Sequence, residues 1–263
     1  MALATDHADR VPPTRRRSLL ERIGRVLFKV PNETLRDEWV RKTLRDIPAG
    51  QKILDAGCGS QQYRPYCSHL QYFGQDFGGY DGVGDEEGLA IEGYQYGNLA
   101  YRCNIWAIPE RDNTFDVGLC TEVLEHIPYP NETIKELVRL VKPGGMLIVT
   151  APFFSIPHMT PYFFISGYHE NWYRRIFADN NCEIIDVTAA GDAFANVLQE
   201  VMRLYKVVQP LPLRVLFGLF LVPVWCVLRL AMAARFPGAK YLPFGYYVRA
   251  RKRKETPLLT ALN

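Results

Sequence analysis

The segment Lys52-Ile53-Leu54-Asp55-Ala56 runs without interruption into Gly57-Cys58-Gly59-Ser60. An apolar run too short for a helix, closed at once by paired glycines, predicts a buried β-strand ending in a tight turn. Glycine has no Cβ and tolerates positive φ, so such a turn lets the backbone approach a ligand closely. A helix after it would present unpaired N–H groups to that ligand. Alone, Gly-x-Gly is a weak signal, because ordinary turns share it.

Further strands are expected over Tyr72 to Asp76, Phe115 to Cys120, Met146 to Thr150 and Glu183 to Val187. Between them, Asn131 is placed to cap a helix running to Val141, stopped by Pro143-Gly144-Gly145, and a second helix is expected from Glu170 to Asn180. Two helices, over 18–28 and 34–46 and separated by Pro31, lead into the first strand. Residues 77–98, rich in glycine, acids and tyrosine, read as loop. Strands alternating with helices at this spacing predict an α/β fold with an open, mostly parallel sheet and helices on both faces.

Composition bounds the function. A chain of 263 residues, 48% hydrophobic and 22% charged, suits one α/β domain with an insertion. A formal net charge of +3 gives no basic face for nucleic acid. Only Arg15-Arg16-Arg17 and the run Arg249 to Lys254 are locally basic. Cys58, Cys67, Cys103, Cys120, Cys182 and Cys226 form no Cys-x-x-Cys pair, which predicts reduced thiols, neither disulfide nor zinc, and a cytoplasmic location. Residues 1–17 have no apolar run behind their charges and are expected to be a disordered lead-in rather than a secretory signal.

In an open parallel sheet the ligand lies beyond the carboxyl ends of the strands. Asp76 ends the second strand 19 residues after Gly57, near the spacing of ~20 residues at which an acid accepts hydrogen bonds from a ribose diol. The stretch FDVGLCTEVLEHIPYPNETIKELVRLVKPGG, together with ILDAGCGS, resembles the class I S-adenosylmethionine-dependent methyltransferases. That resemblance covers Lys52 to Val187 and a final strand at Tyr246 to Arg251. It implies a Rossmann-like doubly wound sheet with an antiparallel last strand, the domain spanning 49–190 and 242–254 behind N-terminal helices at 18–48. It also implies S-adenosylmethionine as cofactor. Asp55, Gly57, Cys58 and Gly59 would hold its methionine end, Asp76 the ribose, and Asn104 with Ile105 the adenine. Glu122 would lie at the mouth of the site. The family usually has aspartate where this chain has Asn104, which predicts weaker rather than absent adenine binding.

Methyl transfer from a sulfonium needs positioning above all, but an oxygen acceptor must lose a proton. His126, His158 and His169 are the candidate bases, with His158, just after the fifth strand, first. His126 also suits a bracing role in its loop. Glu122-x-x-Glu125-His126 matches the metal-binding pattern of some relatives acting on quinone precursors or RNA ends, although metal-free relatives share it, so a divalent metal is not expected. The aromatic stretch from Phe153 to Tyr173 is either an acceptor pocket or core beneath a loop.

Residues 191–241 form a helical apolar insertion. Val215 to Leu228 is uncharged, bracketed by Arg214 and Arg229 and divided by Pro223; it is shorter than the ~20 residues of a membrane span. The chain must also return for its last strand. Two readings stay open: a helix pair or re-entrant hairpin dipping into one leaflet, with Arg214, Arg229, Arg235 and the run from Arg249 meeting anionic headgroups, or a buried lid or protein interface. The partner is thus expected to be a small-molecule or lipid-linked acceptor at the inner membrane face, and resemblance to enzymes of surface-polysaccharide assembly that share the PF…H…PY pattern implies a glycan precursor. The alternatives are a quinone or lipid phenol, and a non-catalytic membrane scaffold to which Asn104 would be the pointer.

Overall fold

The computed structural model describes residues 31–80, 95–208 and 210–254. The expected lead-in at 1–17, the helix at 18–28 and most of the glycine-rich stretch, 81–94, lie outside the described residues. The elements are α1 (Asn32–Arg45), β1 (Lys52–Ala56), β2 (Gln71–Asp76), β3 (Tyr101–Arg102), β4 (Phe115–Thr121), α2 (Pro130–Leu140), β5 (Val141–Pro152), α3 (Glu170–Asp179), β6 (Cys182–Ala190), α4 (Ala193–Val207), α5 (Leu211–Ala234) and β7 (Gly245–Lys252). They build a seven-stranded sheet in the order β3-β2-β1-β4-β5-β7-β6. Strands β1 to β5 pair in parallel, and β7 runs antiparallel between β5 and β6. This is the Rossmann-like architecture the resemblance implies.

Its two faces carry different cores. On one, Ile134, Leu137 and Leu140 of α2 and Tyr173 and Phe177 of α3 pack on Leu54, Leu147 and Val149. On the other, Val40 and Leu44 of α1 pack on Ile53, Leu119 and Ile148. Successive residues of one strand thus serve opposite faces, and a strand buried on both has no polar alternation to betray it.

Three local expectations need correction. Asn131 does not cap α2: Pro130 occupies the first helical position, where its missing N–H costs nothing, and the Asn131 side chain instead accepts from Trp172 Nε1 at 3.2 Å. Pro143-Gly144-Gly145 does not stop that helix. Val141 already has extended geometry, and the three residues fall inside β5, where pairing slips between Phe115–Val141 and Val117–Met146 and Gly144 takes φ +83°. Pro223 does not divide the apolar segment, which is one helix of 24 residues. A single missing hydrogen bond is tolerated when long helical stretches propagate on both sides. The edge strand β3, two residues long, has no signature in the sequence.

Candidate functional site

Parallel pairing brings the informative strand ends together at one sheet edge. Ala56 lies beside Gln75, Asp76 beside Arg102, and Thr121 beside Thr150. The Gly57-Cys58-Gly59 turn, Asp76, Asn104, Glu122 and the segment after β5 therefore converge, whereas cavities of about 540 and 440 Å³ around Gly144 and Lys254 open at the opposite edge. Those cavities lie at the end of the sheet where the parallel strands start, away from the carboxyl ends at which ligands of such sheets bind.

Gly57 takes φ +72°, and a Cβ on it would meet Val123 Cγ2 at 2.5 Å. Gly59 also has positive φ, and its amide donates to Asp76 Oδ2 at 3.0 Å. The Gly78 amide donates to Asp76 Oδ1 at 3.0 Å. Asp76 is nearly buried. Burial pushes its pKa up, and the amides of Gly78 and Gly59 oppose that by favouring the charged form. Asp55 is buried too, and burial raises it to about 7 although the Tyr72 hydroxyl donates to its Oδ2 at 2.6 Å. Of the other residues expected to hold cofactor, Cys58 is buried, Asn104 is exposed two residues beyond the Arg102 pairing, and Ile105 is packed into the main core.

One residue of this half was not singled out from the sequence. Gln75, almost fully buried in β2, accepts from the Gly57 amide at 3.1 Å and donates to the Cys103 carbonyl at 2.7 Å. It ties the first turn to the loop after β3. A glutamine inside a buried strand, immediately before the strand-end acid, was the available signal.

On the β4–β5 side, Glu122 has φ +53° and its amide donates to the Thr150 carbonyl. Its carboxylate accepts from Thr150 Oγ1 at 2.9 Å and faces Arg36 Nη1 of α1 at 3.3 Å. Both oxygens are engaged, so Glu122 acts as a brace, and Arg36 is a second residue the sequence did not reveal. Glu125 points the other way. It is buried, its Oε2 has no hydrogen-bond partner among the described residues, and its Oε1 lies 3.8 Å from His126 Nε2. Burial, then the Glu122 carboxylate, pushes the Glu125 pKa well above the ordinary range, against the opposing Arg36 charge.

His126 and His158 meet edge to face with ring centroids 4.6 Å apart. Phe163 flanks both, 5.3 Å from His158 and 6.3 Å from His126. His126 Nδ1 lies 2.7 Å from the Tyr162 carbonyl, and His158 Nδ1 lies 2.9 Å from the Ile156 carbonyl and 3.3 Å from Ser155 Oγ. Ligand atoms of Glu125, His126 and His158 lie within 4.8 Å of one another. The geometric trio thus exchanges the Glu122 of the sequence pattern for His158. The third histidine, His169, caps α3 by accepting the Asn171 amide and is not part of this group.

Residues 54–149, from β1 through β5, match the profile of a family described as a methyltransferase domain. Over this stretch the chain resembles a methyltransferase domain. The match takes in the glycine turn, Asp76 and the Glu122–His126 segment, and it ends before His158. Among curated proteins, the ubiquinone biosynthesis O-methyltransferase of Bordetella avium is 30% identical over 139 residues, 50% of this chain and 52% of that protein. The protein of the same name from Albidiferax ferrireducens is 33% identical over 135 residues, 50% of each chain. The chain spans about half the length of the curated relatives it matches. Among solved structures, the cyclase SpnF has a TM-score of 0.50 at 18% identity over 82% of both chains. A Bacillus halodurans C-125 protein named as a methyltransferase has 0.50 at 11% identity, over 83% of this chain and all of that one. Both show the fold. A cyclase among proteins of this fold means that the reaction must be argued from the site.

Proposed function

We propose that this chain transfers the methyl group of S-adenosylmethionine to the hydroxyl of a small phenolic acceptor of the quinone-precursor kind. The observation that carries the reading is the meeting, at one sheet edge, of a glycine turn clasping a buried aspartate and an imidazole pair walled by aromatic rings. The names of the curated relatives support the phenolic acceptor over the glycan precursor that the PF…H…PY pattern suggests. S-adenosylmethionine supplies a methyl already activated on a sulfonium. Asp55 and the Gly57-Cys58-Gly59 backbone would hold its methionine end, Asp76 its ribose diol, and Asn104 with the Ile105 backbone its adenine. With Nδ1 directed at the Ile156 carbonyl, His158 keeps its proton there and offers Nε2 to the acceptor hydroxyl. Phe163 supports the aromatic ring of such an acceptor.

A second reading is supported by Glu125. A buried carboxylate oxygen with no partner among the described residues, beside two imidazoles, is a donor set that a divalent cation fits. Such an ion supplies a Lewis acid at the acceptor oxygen. Glu125, His126 and His158 would hold it, and His158 would then be a ligand rather than a base.

Calorimetric titration with S-adenosylmethionine, then assay with dihydroxybenzoate-type acceptors before and after chelation, tests both. Saturable binding and chelator-resistant turnover support His158 as base; turnover lost to chelator and restored by magnesium or zinc supports the cation. A folded protein that binds no cofactor sinks the enzyme reading and leaves the scaffold.

A further inference from the structure

The excursion between β6 and β7 starts and ends at one point. Ala190 and Gly245 are register partners, and Gly245 also pairs with Pro152 at the end of β5. Residues 191–244 therefore leave and rejoin the sheet at its carboxyl edge, the edge that holds the glycine turn and the histidines. The root is fixed: Asn196 Nδ2 donates to the Pro243 carbonyl at 2.8 Å, and Phe194 meets Phe236 at 5.6 Å. Beyond the root, α5 rests on α4 through one stripe, where Gly218 approaches Tyr205 and Arg214 lies over the Tyr205 ring at 5.1 Å.

Among the described residues, the remaining surface of α5 is apolar and uncovered. None of its residues is buried, and its apolar window has a mean hydropathy of 2.2. Leu216, Leu219, Phe220, Val227 and Leu230 are 66, 67, 71, 64 and 71% exposed. At 100° per residue, these side chains with Leu213, Val222 and Val224 cover more than half the circumference. A helix docking into a protein groove needs one stripe, and α5 has already spent one on α4. Apolar side chains around the rest call for an apolar medium rather than a single facing surface. The charges agree: no Asp or Glu occurs between Glu200 and Glu255, while Arg214, Arg229, Arg235 and Lys240 stand toward the two ends of α5. Arg229, itself exposed, lies over the Trp225 ring at 5.7 Å. The run from Arg249 does not join them, because Arg249 pairs with Asp186 and Lys252 reaches the Val138 and Val141 carbonyls at the far sheet edge.

We infer that α5 lies in the interface of an anionic lipid bilayer, one leaflet deep, as a monotopic anchor that presents the carboxyl edge of the sheet to the membrane. A single crossing is excluded by the return to β7: Phe236, just past α5, meets Phe194 at the start of α4, so α5 comes back to the sheet edge that the excursion left. The inference is independent of the reaction chemistry and goes beyond it: an acceptor dissolved in lipid would reach the site without crossing water.

The test is flotation of the full chain with phosphatidylcholine vesicles, with and without phosphatidylglycerol, comparing the natural sequence with the combined variant Leu216→Ser, Leu219→Ser, Phe220→Ser and Val227→Ser. These side chains are exposed, so melting temperature and cofactor binding should be kept, which controls for misfolding. The natural chain should float, more completely with phosphatidylglycerol, and the variant's bound fraction should fall by more than roughly tenfold. Brominated lipid should quench Trp225 emission, read as the difference from Trp225→Phe. The inference is overturned if the natural chain stays at the bottom with both lipids, or if the variant floats equally well. It is also overturned if light scattering shows a dimer that the variant breaks while neither protein floats, which would make the face a contact between copies.

Discussion

Two buried carboxylates stand at the same sheet edge and are held in opposite ways. Asp76 accepts backbone amides on both oxygens, from Gly59 and Gly78, whereas Glu125 leaves Oε2 without a partner among the described residues. The first is built by the turn itself and stands ready for a ligand that brings hydroxyl donors. The second is a deficit awaiting a proton or a cation. The aspartate half is thus completed by the glycine turn and the next loop, whereas the half around Glu125 is assembled from segments after β4 and β5.

If the halves are separable, mutations should divide between binding and turnover. The largest effect is expected from His158→Ala, which should lower kcat by about 10²–10⁴ while leaving cofactor affinity within error. Stopped-assay kinetics beside calorimetry would show it, and an equal loss of cofactor affinity would break the division. Asp76→Ala should do the reverse, weakening S-adenosylmethionine by roughly 10²-fold through the loss of two charge-assisted hydrogen bonds. Gly57→Ala places a side chain at φ +72° against Val123, so a destabilisation of about 1–3 kcal/mol should appear in urea melts.

The smallest effect sharpens the electrostatics of the cofactor half. Burial raises Asp55 to about 7, so between the ordinary carboxylate range and that value the folded chain keeps a proton that the unfolded chain has released. Stability from this group is present at low pH and lost as pH rises through about 7. Asp55→Asn can still accept from Tyr72, and its melting temperature should fall less between pH 5 and 8 than that of the natural chain, with pH values set roughly by the ordinary and raised carboxylate ranges. Parallel curves would mean that Asp55 does not titrate there.

The legible part of the sequence is the part written in neighbours. The strand Lys52–Ala56, its glycine turn, Asp76 at the end of β2 and the order of strands and helices follow from apolar runs, glycine conformations and strand-end acids within a few residues of one another. Gln75 escaped because its two partners, Gly57 and Cys103, are supplied by other strands. Arg36 escaped because nothing near it in the chain announces Glu122.

Only the tertiary structure decided which histidines meet. His126 follows β4 and His158 follows β5, and it is the pairing of those strands at Thr121 and Thr150 that brings the rings to 4.6 Å, while His169 is spent on a helix cap. It also decided the fate of Val215 to Leu228. The sequence determined that this segment is apolar, but apolarity is the same for a core helix, an interface and a lipid anchor. Burial depends on what the rest of the chain brings alongside, and among the described residues it is α4 that packs along this helix.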